Sequence, residues 1–335
     1  MKIDSKKKAM IFIGCVLGLL VLTLLLALVF GSINIPIKDV VKVLTGQDTS
    51  SKVAFIIKTI RLPRALAGIA AGAALATAGV LLQSVMNTSL ASPNIIGVNS
   101  GAGFFVMLSM ALFPQSLFSK SVMAFLGALF TSLCILALAF FAEKSRTTIV
   151  LAGIAVSSFL SAGMNMLKTL DSDLTVSATQ FLIGSLAGNT FKSIKVPAIA
   201  ILVTIIISIF LSRALNILTL GDGVARSLGL SVDLFRIIFV ILASLLAGMA
   251  VSFGGLIGFV GLIVPHIVRF FVGHDARVLI PASAITGAFF VMAADLLGRV
   301  FFSPYELPVG IILSLLGAPF FLYLLMKKGA RRVNA

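Results

Sequence analysis

Apolar and polar positions follow one another along this chain in long blocks. Ten blocks are each close to the length of about 20 residues that a helix needs to cross a bilayer. They cover residues 9–31, 61–83, 95–113, 121–142, 147–168, 194–213, 234–251, 254–271, 279–302 and 308–326. The residue-by-residue alternation of a membrane β-barrel is absent. Lipid offers no hydrogen-bond partner to the backbone, so each N–H and C=O group must be paired within its own helix. The pattern therefore predicts an all-α integral membrane protein with about ten transmembrane helices.

Basic residues flank the first and the last of these blocks. With ten spans both basic tails lie on one side, and the positive-inside rule predicts that this side is the cytoplasm. The first block is expected to be a retained helix rather than a signal peptide. Residues 1–335 then form one polytopic domain, with an external loop at 32–60 and a cytoplasmic segment at 214–233. A modest majority of the 26 Lys and Arg residues falls inside.

Composition agrees with a membrane protein, since 59% of the residues are hydrophobic and 11% are charged. The net charge of +15 is dispersed over loops, tails and helix ends, which fits contact with anionic headgroups. No basic face with interleaved aromatic residues is present, so the pattern excludes a nucleic-acid interface. Cys15 and Cys134 both lie in apolar blocks and are expected to be small buried thiols without a disulfide.

The sequence carries little that points to an enzyme. No G-x-x-x-x-G-K-[ST] phosphate loop occurs, so ATP hydrolysis by that route would need another chain. His266 and His274 have no carboxylate or thiol cluster at metal-ligand spacing, and His266 is expected to lie at a helix end near the interface. A membrane enzyme remains an alternative without a nucleophile–base set to support it.

An ion-coupled secondary carrier is the second alternative. Such carriers use ionisable residues at mid-membrane, and these are scarce here. Asp295 and Arg299 are four residues apart on one predicted helix, which is typical of an i,i+4 ion pair near an interface. A proton relay would need further carboxylates in other spans. The scarcity of carboxylates favours an external energy source.

Arg61 and Arg64 stand at the predicted outer end of the second helix, against the positive-inside tendency. Pro63 between them fits the first turn of a helix, where its missing N–H costs nothing. The two arginines are either interfacial side chains that reach towards the headgroups or an electropositive docking site for an acidic partner. Arg299 returns to the same predicted face.

Small residues recur at four-residue spacing in three places: "GIAAG" at 68–72, "GSLAG" at 184–188 and "GGLIG" at 254–258. This spacing lets helix backbones approach closely. It predicts tight helix packing, and it is also compatible with helices that slide during transport.

The segment 215–235 is polar and lies between two apolar blocks. Asp222 is predicted to be the N-cap of a short helix that Gly229 ends. The body of that helix is predicted to contain Ala225, Arg226, Ser227 and Leu228. A plain connecting loop is the alternative that the pattern leaves open.

Several blocks of sequence resemble the permease subunits of iron-siderophore and cobalamin ABC importers, the type II importer family. The blocks, in order, are "RLPR" (61–64), "AGxxLQ" (78–83), "LASP" (90–93), "IGVNSGAG" (96–103), "LAGIAVSS" (151–158), "GSLAG" (184–188), "ARSLGL" (225–230), "GLIGFVGLIVPHIVRFFVGHDARVLIPASA" (255–284), "ADLLGR" (294–299) and "ELPVGIILSLLGAPFFLYLL" (306–325). The resemblance spans about residues 60 to 328.

The resemblance implies a type II ABC importer permease fold and a specific set of partners. Two permease subunits, as a homodimer or heterodimer, would surround the path, with two ATPase subunits on the cytoplasmic side. A substrate-binding lipoprotein would dock outside, meeting Arg61, Arg64 and Arg299 with acidic residues. The "ARSLGL" segment, with Asp222 before it, would be the coupling helix in a groove of the ATPase. The chain would bind no cofactor or metal itself, since ATP and Mg²⁺ belong to the ATPase.

The resemblance also implies an inner constriction in the loops at 87–93 and 143–148. Its candidate residues here are Asn87, Thr88, Ser89, Leu90, Ser145, Thr147 and Thr148. This sequence departs from the family pattern at Thr88, Ser89, Asn94 and Phe181. The implied function is permease of the bacterial cytoplasmic membrane for an iron complex: a ferric siderophore first, with haem and cobalamin as alternatives.

Overall fold

The computed structural model describes residues 2–31, 33–47, 51–89, 91–94, 97–113, 117–141, 146–302 and 305–333. These residues form helices joined by short connections, with no strand among them. The helices are α1 (Lys2–Val29), α2 (Ile37–Leu44), α3 (Lys52–Phe55), α4 (Leu62–Val85), α5 (Val98–Leu112), α6 (Leu117–Phe141), α7 (Arg146–Leu170), α8 (Ser172–Ile183), α9 (Phe191–Phe210), α10 (Ser212–Thr219), α11 (Asp222–Ser227), α12 (Val232–Gly254), α13 (Val260–Val272), α14 (Ala276–Val300) and α15 (Val309–Val333). A π-helical segment, Ile56–Arg61, joins α3 to α4.

Each predicted apolar block overlaps one of the ten longest described helices, which confirms the all-α prediction. Within the described residues, five helices are long and apolar enough to cross a membrane. They are Lys7–Val29, Lys52–Val85, Phe191–Phe210, Val232–Gly254 and Ala276–Val300.

Helix α4 is the central helix, because α9, α12, α13 and α14 all pack around it. Glycines make this packing close. A Cβ atom on Gly72 would lie 2.1 Å from the carbonyl oxygen of Gly287 in α14, and one on Gly79 would lie 1.9 Å from that of Gly261 in α13. No side chain fits at those distances. The prediction that "GIAAG" packs helices closely is confirmed.

The other two glycine motifs lie at helix ends and not within packed helices, so the prediction is wrong about their place. "GSLAG" follows the end of α8, and "GGLIG" separates α12 from α13. Gly184 and Gly255 have φ angles of 86° and 69°, so these glycines end helices. They still allow close approach, because a Cβ on Gly255 would lie 2.4 Å from the carbonyl oxygen of Phe181. The two breaks meet each other, since the N–H of Leu256 donates to the carbonyl of Phe181 at 2.9 Å.

The segment predicted as an external loop, 32–60, contains α2, α3 and most of the π-helical segment. Val40, Val43 and Ile57 are buried in a small apolar cluster with Leu28 of α1. Two apolar residues of α2, Val40 and Val43, therefore lie on its buried face, whereas Ile37, Val41 and Leu44 are exposed. The segment predicted as cytoplasmic, 214–233, likewise contains α11 and most of α10, where one helix was predicted.

The bundle has two ends that carry different chemistry. At one end, which we call the Arg61 end, the carbonyl of Leu28 in α1 accepts a hydrogen bond from Arg61. At the other, the α11 end, Phe12 of α1 stacks on Phe271 at the close of α13. Helix α15 begins near the Arg61 end, where the N–H of Leu307 donates to the carbonyl of Gly298, and it runs towards the α11 end past His266 in the middle of α13, whose ring lies edge-on to Phe320. Both terminal helices thus point their chain ends to the α11 end.

The two cysteines form no disulfide, as predicted. The expectation that both are buried is wrong: Cys15 is exposed on α1, and Cys134 is only partly buried. A small thiol on a helix that faces lipid has no need of burial, because the surrounding hydrocarbon is itself apolar.

Candidate functional site

A buried cluster of charges lies at the Arg61 end. Arg64 of α4 reaches both carboxylate oxygens of Asp295 in α14, with distances of 3.0 to 3.1 Å from Nε and Nη2. Its Nη1 donates to Oε2 of Glu306 at 2.6 Å. Arg299 Nε lies 3.1 Å from the other side of Asp295, which confirms the predicted i,i+4 ion pair.

Arg61 is held differently, by backbone. Its guanidinium donates to the carbonyls of Leu28 at 2.6 Å, Val29 at 2.9 Å and Ile33. Gly31 makes room for it, since a Cβ there would lie 3.1 Å from Nη2. Arg61 therefore fixes the turn after α1 onto the start of α4.

The three arginines are 6%, 7% and 4% exposed, for Arg61, Arg64 and Arg299 respectively. Their guanidinium groups face two carboxylates, so the cluster keeps an excess of one positive charge. Glu306 is its most accessible member, with its side chain 35% exposed. The interpretation that Arg61 and Arg64 reach towards the headgroups is wrong, since both side chains are buried against partners within the bundle. Their role in docking an acidic partner stays a prediction.

Helix α11 protrudes at the opposite end and carries the predicted coupling residues. Asp222 is its first helical residue and Gly221 its N-cap, so the predicted N-cap at Asp222 is wrong. The Asp222 carboxylate accepts a 2.8 Å hydrogen bond from Arg236 of α12 and is thereby drawn away from the helix start.

The predicted end of α11 is confirmed. Gly229 has a φ of 80°, and its N–H donates to the carbonyl of Arg226 at 3.0 Å. The N–H of Leu230 donates to the carbonyl of Ala225 at 3.0 Å, which completes a Schellman motif. Leu228 is the C-cap and not part of the body.

The exposed face of α11 is partly apolar. Ala225 is buried, whereas Val224 and Leu228 are 49% and 60% exposed. Arg226 is exposed as well and lies 3.6 Å from Asp233. Ser227 completes this face, which is apolar at its centre and charged at its rim.

At this end the carboxylate of Asp275 joins α10 to the start of α14. Asp275 accepts hydrogen bonds from Asn216 at 2.8 Å and from the N–H of Arg277 at 3.0 Å. Partial burial acts to raise the pKa of Asp275, but these two hydrogen bonds and the Arg277 charge outweigh it and lower that pKa. The carboxylate is therefore ionised at neutral pH and caps α14.

A cavity of about 670 Å³ lies where the helix breaks meet α15. Its described lining is mostly apolar, with the polar side chains of Asn94, Asn99 and Ser314. The Oδ1 atom of Asn99 is buried and has no hydrogen-bond partner among the described residues. Asn94, which departs from the family pattern, thus contributes an amide to the cavity wall. Phe181, another of the four departures, accepts a hydrogen bond from the N–H of Leu256 at its carbonyl.

Two described residues other than glycine have positive φ angles, and both lie near this region or the predicted gate. Phe259 has a φ of 64° in the break before α13 and lines the cavity. Its ring presses on α15, because a Cβ on Gly317 would lie 2.3 Å from its Cγ. Asn87 has a φ of 48° just after α4. Such strain concentrates at functional sites.

The predicted gate residues are placed only in part. Asn87 is exposed, and Thr88 and Ser89 are half-buried beside it. Leu90 and Ser145 lie outside the described residues. Thr147 and Thr148 fall in α7, outside the stretch whose side chains are described.

Sequence reasoning missed four contributors: Glu306, Phe259, Asn99 and Gln83. Gln83 of α4 donates to the carbonyl of Gly261 at 2.9 Å and accepts from Arg269, which joins α4 to α13. The contact could have been suspected from the sequence, because a glutamine within an apolar helix needs a hydrogen-bond partner. No three described His, Cys, Asp or Glu side chains come together as metal ligands.

The chain matches the model of the FecCD transport family over residues 19–327. It is 36% identical over 323 residues to the Fe(3+)-citrate import system permease protein YfmE of Bacillus subtilis, covering 96% of each chain. It is 35% identical over 318 residues to the hemin transport system permease protein HmuU of Yersinia pestis, covering 93% of this chain and 95% of that one. Its fold matches a solved inward-facing structure of a putative metal-chelate type ABC transporter with a TM-score of 0.82 and 30% identity, covering 95% and 99% of the two chains.

Proposed function

The chain belongs to the FecCD transport family, and we propose that it forms the path by which a ferric chelate crosses the bacterial cytoplasmic membrane. It is the membrane-spanning permease subunit of an ABC importer. The observation that carries the proposal is the match of nearly the whole chain to permeases for ferric citrate and hemin. Ferric siderophores are the substrate class that we propose first, ahead of haem and cobalamin.

The cavity beside α15 supports a role as conduit. Its wall offers amide and hydroxyl groups on an apolar surface and carries no charged side chain among its described residues. Such a wall can pass a bulky chelate without holding it tightly. Specificity then falls to an external binding protein, in keeping with the partners of this family.

We assign the gate to the residues that follow α4 and to the break before α13. Asn87, Thr88 and Ser89 follow α4 at the α11 end, and Phe259 reaches from that break to α15. Because strained backbone at such a site has a second, relaxed arrangement within reach, these positions suit a constriction that opens and closes.

We propose that α11 docks on a separate ATPase subunit, one for each of two permease subunits, and that ATP and Mg²⁺ bind there. Its exposed residues Val224 and Leu228 would enter a groove on that partner. The contact between Asp222 and Arg236 then carries movement of α11 into α12, which packs against α4 and α6. With the ATPase at this end, both chain termini are cytoplasmic.

The Arg61 end is then external and is the place for a substrate-binding lipoprotein. The excess positive charge of the cluster suits an acidic partner. In this conformation the Glu306 carboxylate is paired with Arg64. An acidic residue of the binding protein would therefore have to displace Glu306 in order to pair with Arg64. This competition makes Glu306, rather than the buried arginines, the informative position to change.

Uptake by cells tests the substrate class. A strain that lacks this gene should lose ATP-dependent uptake of one labelled ferric chelate, and the gene in trans should restore it. Ferric hydroxamate, ferric citrate, haem and cobalamin are compared in parallel. Normal uptake of all four by the deletion strain would overturn the proposal.

A further inference from the structure

A second groove, distinct from the cavity at α15, runs between α4 and α9 on the side of the bundle. It encloses about 450 Å³. From α4 it is lined by Leu66, Ile69, Ala70 and Ala73, which follow the spacing of one helical face. From α9 it is lined by one stripe between Phe191 and Ile205. The alanines leave space where larger side chains would close the two helices together.

The lining of this groove is apolar with one exception. Of the described residues that line it, only Lys195 has a polar side chain. Lys195 is exposed one turn into α9, at the Arg61 end, and no described carboxylate lies within ion-pair distance of it. The N-terminal N–H groups of α9 do not supply the site, because the Thr190 side chain already caps them.

The surroundings of the groove indicate lipid. Beyond Lys195 the outer face of α9 is apolar, with Val196 70%, Val203 49% and Phe210 80% exposed. Such a face on a membrane-spanning helix belongs against hydrocarbon. The α9 part of the groove, from Phe191 to Ile205, is about 21 Å long at 1.5 Å per residue, which exceeds half of the roughly 30 Å hydrocarbon core.

We propose that this groove binds one acyl chain of an anionic phospholipid whose phosphate pairs with Lys195. The chain lies along Ala70 and Ala73, and the headgroup lies at the Arg61 end, where the membrane surface is expected. An apolar groove closed by a single unpaired cation matches the two parts of such a lipid. A ferric chelate does not fit this site, since the lining offers it no further polar group. The proposal depends on the membrane location and not on the transported substrate.

Native mass spectrometry of the full chain tests the headgroup. The purified, delipidated protein is titrated in micelles with equal amounts of phosphatidylglycerol and phosphatidylcholine. We expect one retained lipid with a preference of about fivefold for phosphatidylglycerol, the effect of one basic residue near a headgroup. Lys195→Gln should abolish that preference. Lys42→Gln, a lysine at the same end on α2, should leave it unchanged.

A second variant tests the acyl chain. Ala73→Phe fills the groove and should lower retention of both lipids several-fold, whereas Val196→Phe, on the exposed face of α9, should not. If Ala73→Phe does not fold, the Lys195→Gln titration decides alone. Wild-type retention and preference in Lys195→Gln would overturn the proposal.

The other candidate occupant is a second copy of this chain. Ile199→Cys, in a background of Cys15→Ala and Cys134→Ala, places one thiol in the groove. We expect no cross-linking between copies in native membranes through this thiol. Efficient cross-linking would overturn the lipid assignment, because the groove would then be covered by protein.

Discussion

Arg64 in α4 and Asp295 in α14 form a bidentate ion pair inside the bundle, 231 residues apart in sequence. Both are almost fully buried, with side chains 8% and 3% exposed. Arg299 contacts the same carboxylate from the following turn of α14. Two buried arginines thus share the carboxylate of Asp295.

Asp295→Asn should therefore destabilise the protein strongly. The substitution leaves two buried guanidinium groups without their shared counter-charge, and losing one partner of a buried pair costs about 3–5 kcal/mol. Asp233→Asn, at the exposed pair with Arg226, should cost less than about 1 kcal/mol. Thermal unfolding in detergent measures both. Equal melting temperatures for the two variants would contradict the buried cluster.

Gly72→Ala should also destabilise the bundle. Its Cβ would meet the Gly287 backbone at 2.1 Å, and backbone cannot yield as a flexible side chain can. A penalty of about 1–3 kcal/mol is typical of overpacking. Gly68→Ala is the matched control one turn earlier, since its nearest contact is 3.4 Å. The contact between α4 and α14 is misplaced if Gly72→Ala melts no lower than Gly68→Ala.

How far the sequence predicts this fold depends on whether the signal is local. The helices could be predicted from the apolar blocks. Each block, once helical, pairs its own backbone hydrogen-bonding groups and presents apolar side chains to the lipid. Glycine spacing was ambiguous: the same four-residue interval packs α4 at Gly68 and Gly72 but breaks the chain at Gly184 and Gly188. Only the neighbouring segment, Phe181 against Leu256, decides which of these occurs.

The candidate site was predictable to the same degree. The Asp295–Arg299 pair lies within one helix and was read from spacing. Arg64 pairs with Asp295 and Glu306, which lie 231 and 242 residues away in the sequence. A local sequence pattern cannot predict contacts at such separations. The sequence therefore located the charges correctly at one end but missed that they neutralise one another.

Glu306→Gln should strengthen docking of the acidic binding protein. Removing this carboxylate frees Nη1 of Arg64 and raises the local positive charge, which should lower the dissociation constant by up to about fivefold, the scale of an exposed ion pair. The gain should shrink at high salt.

Surface plasmon resonance on the permease in nanodiscs measures this effect. Asp39→Asn on α2 is the control, with the same change of charge at the same end. If Glu306→Gln weakens docking or matches Asp39→Asn, Arg64 does not meet the binding protein.

Leu228→Asp should weaken the hold of α11 on the ATPase. It places a charge on the apolar centre of the exposed face and should reduce ATPase co-purification by tenfold or more, as an unpaired interface charge costs more than about 1.4 kcal/mol. Leu44→Asp, at an equally accessible leucine of α2 on the other end, should have no effect. Equal co-purification of the two variants would remove α11 from the ATPase interface.

Transport by the reconstituted complex tests the central claim most directly. Proteoliposomes contain the permease and its ATPase, with the binding protein and a labelled ferric chelate outside. We predict import only with ATP on the ATPase side, and none from the permease alone under a proton or sodium gradient. Gradient-driven import by the permease without the ATPase would contradict the account and identify an ion-coupled carrier.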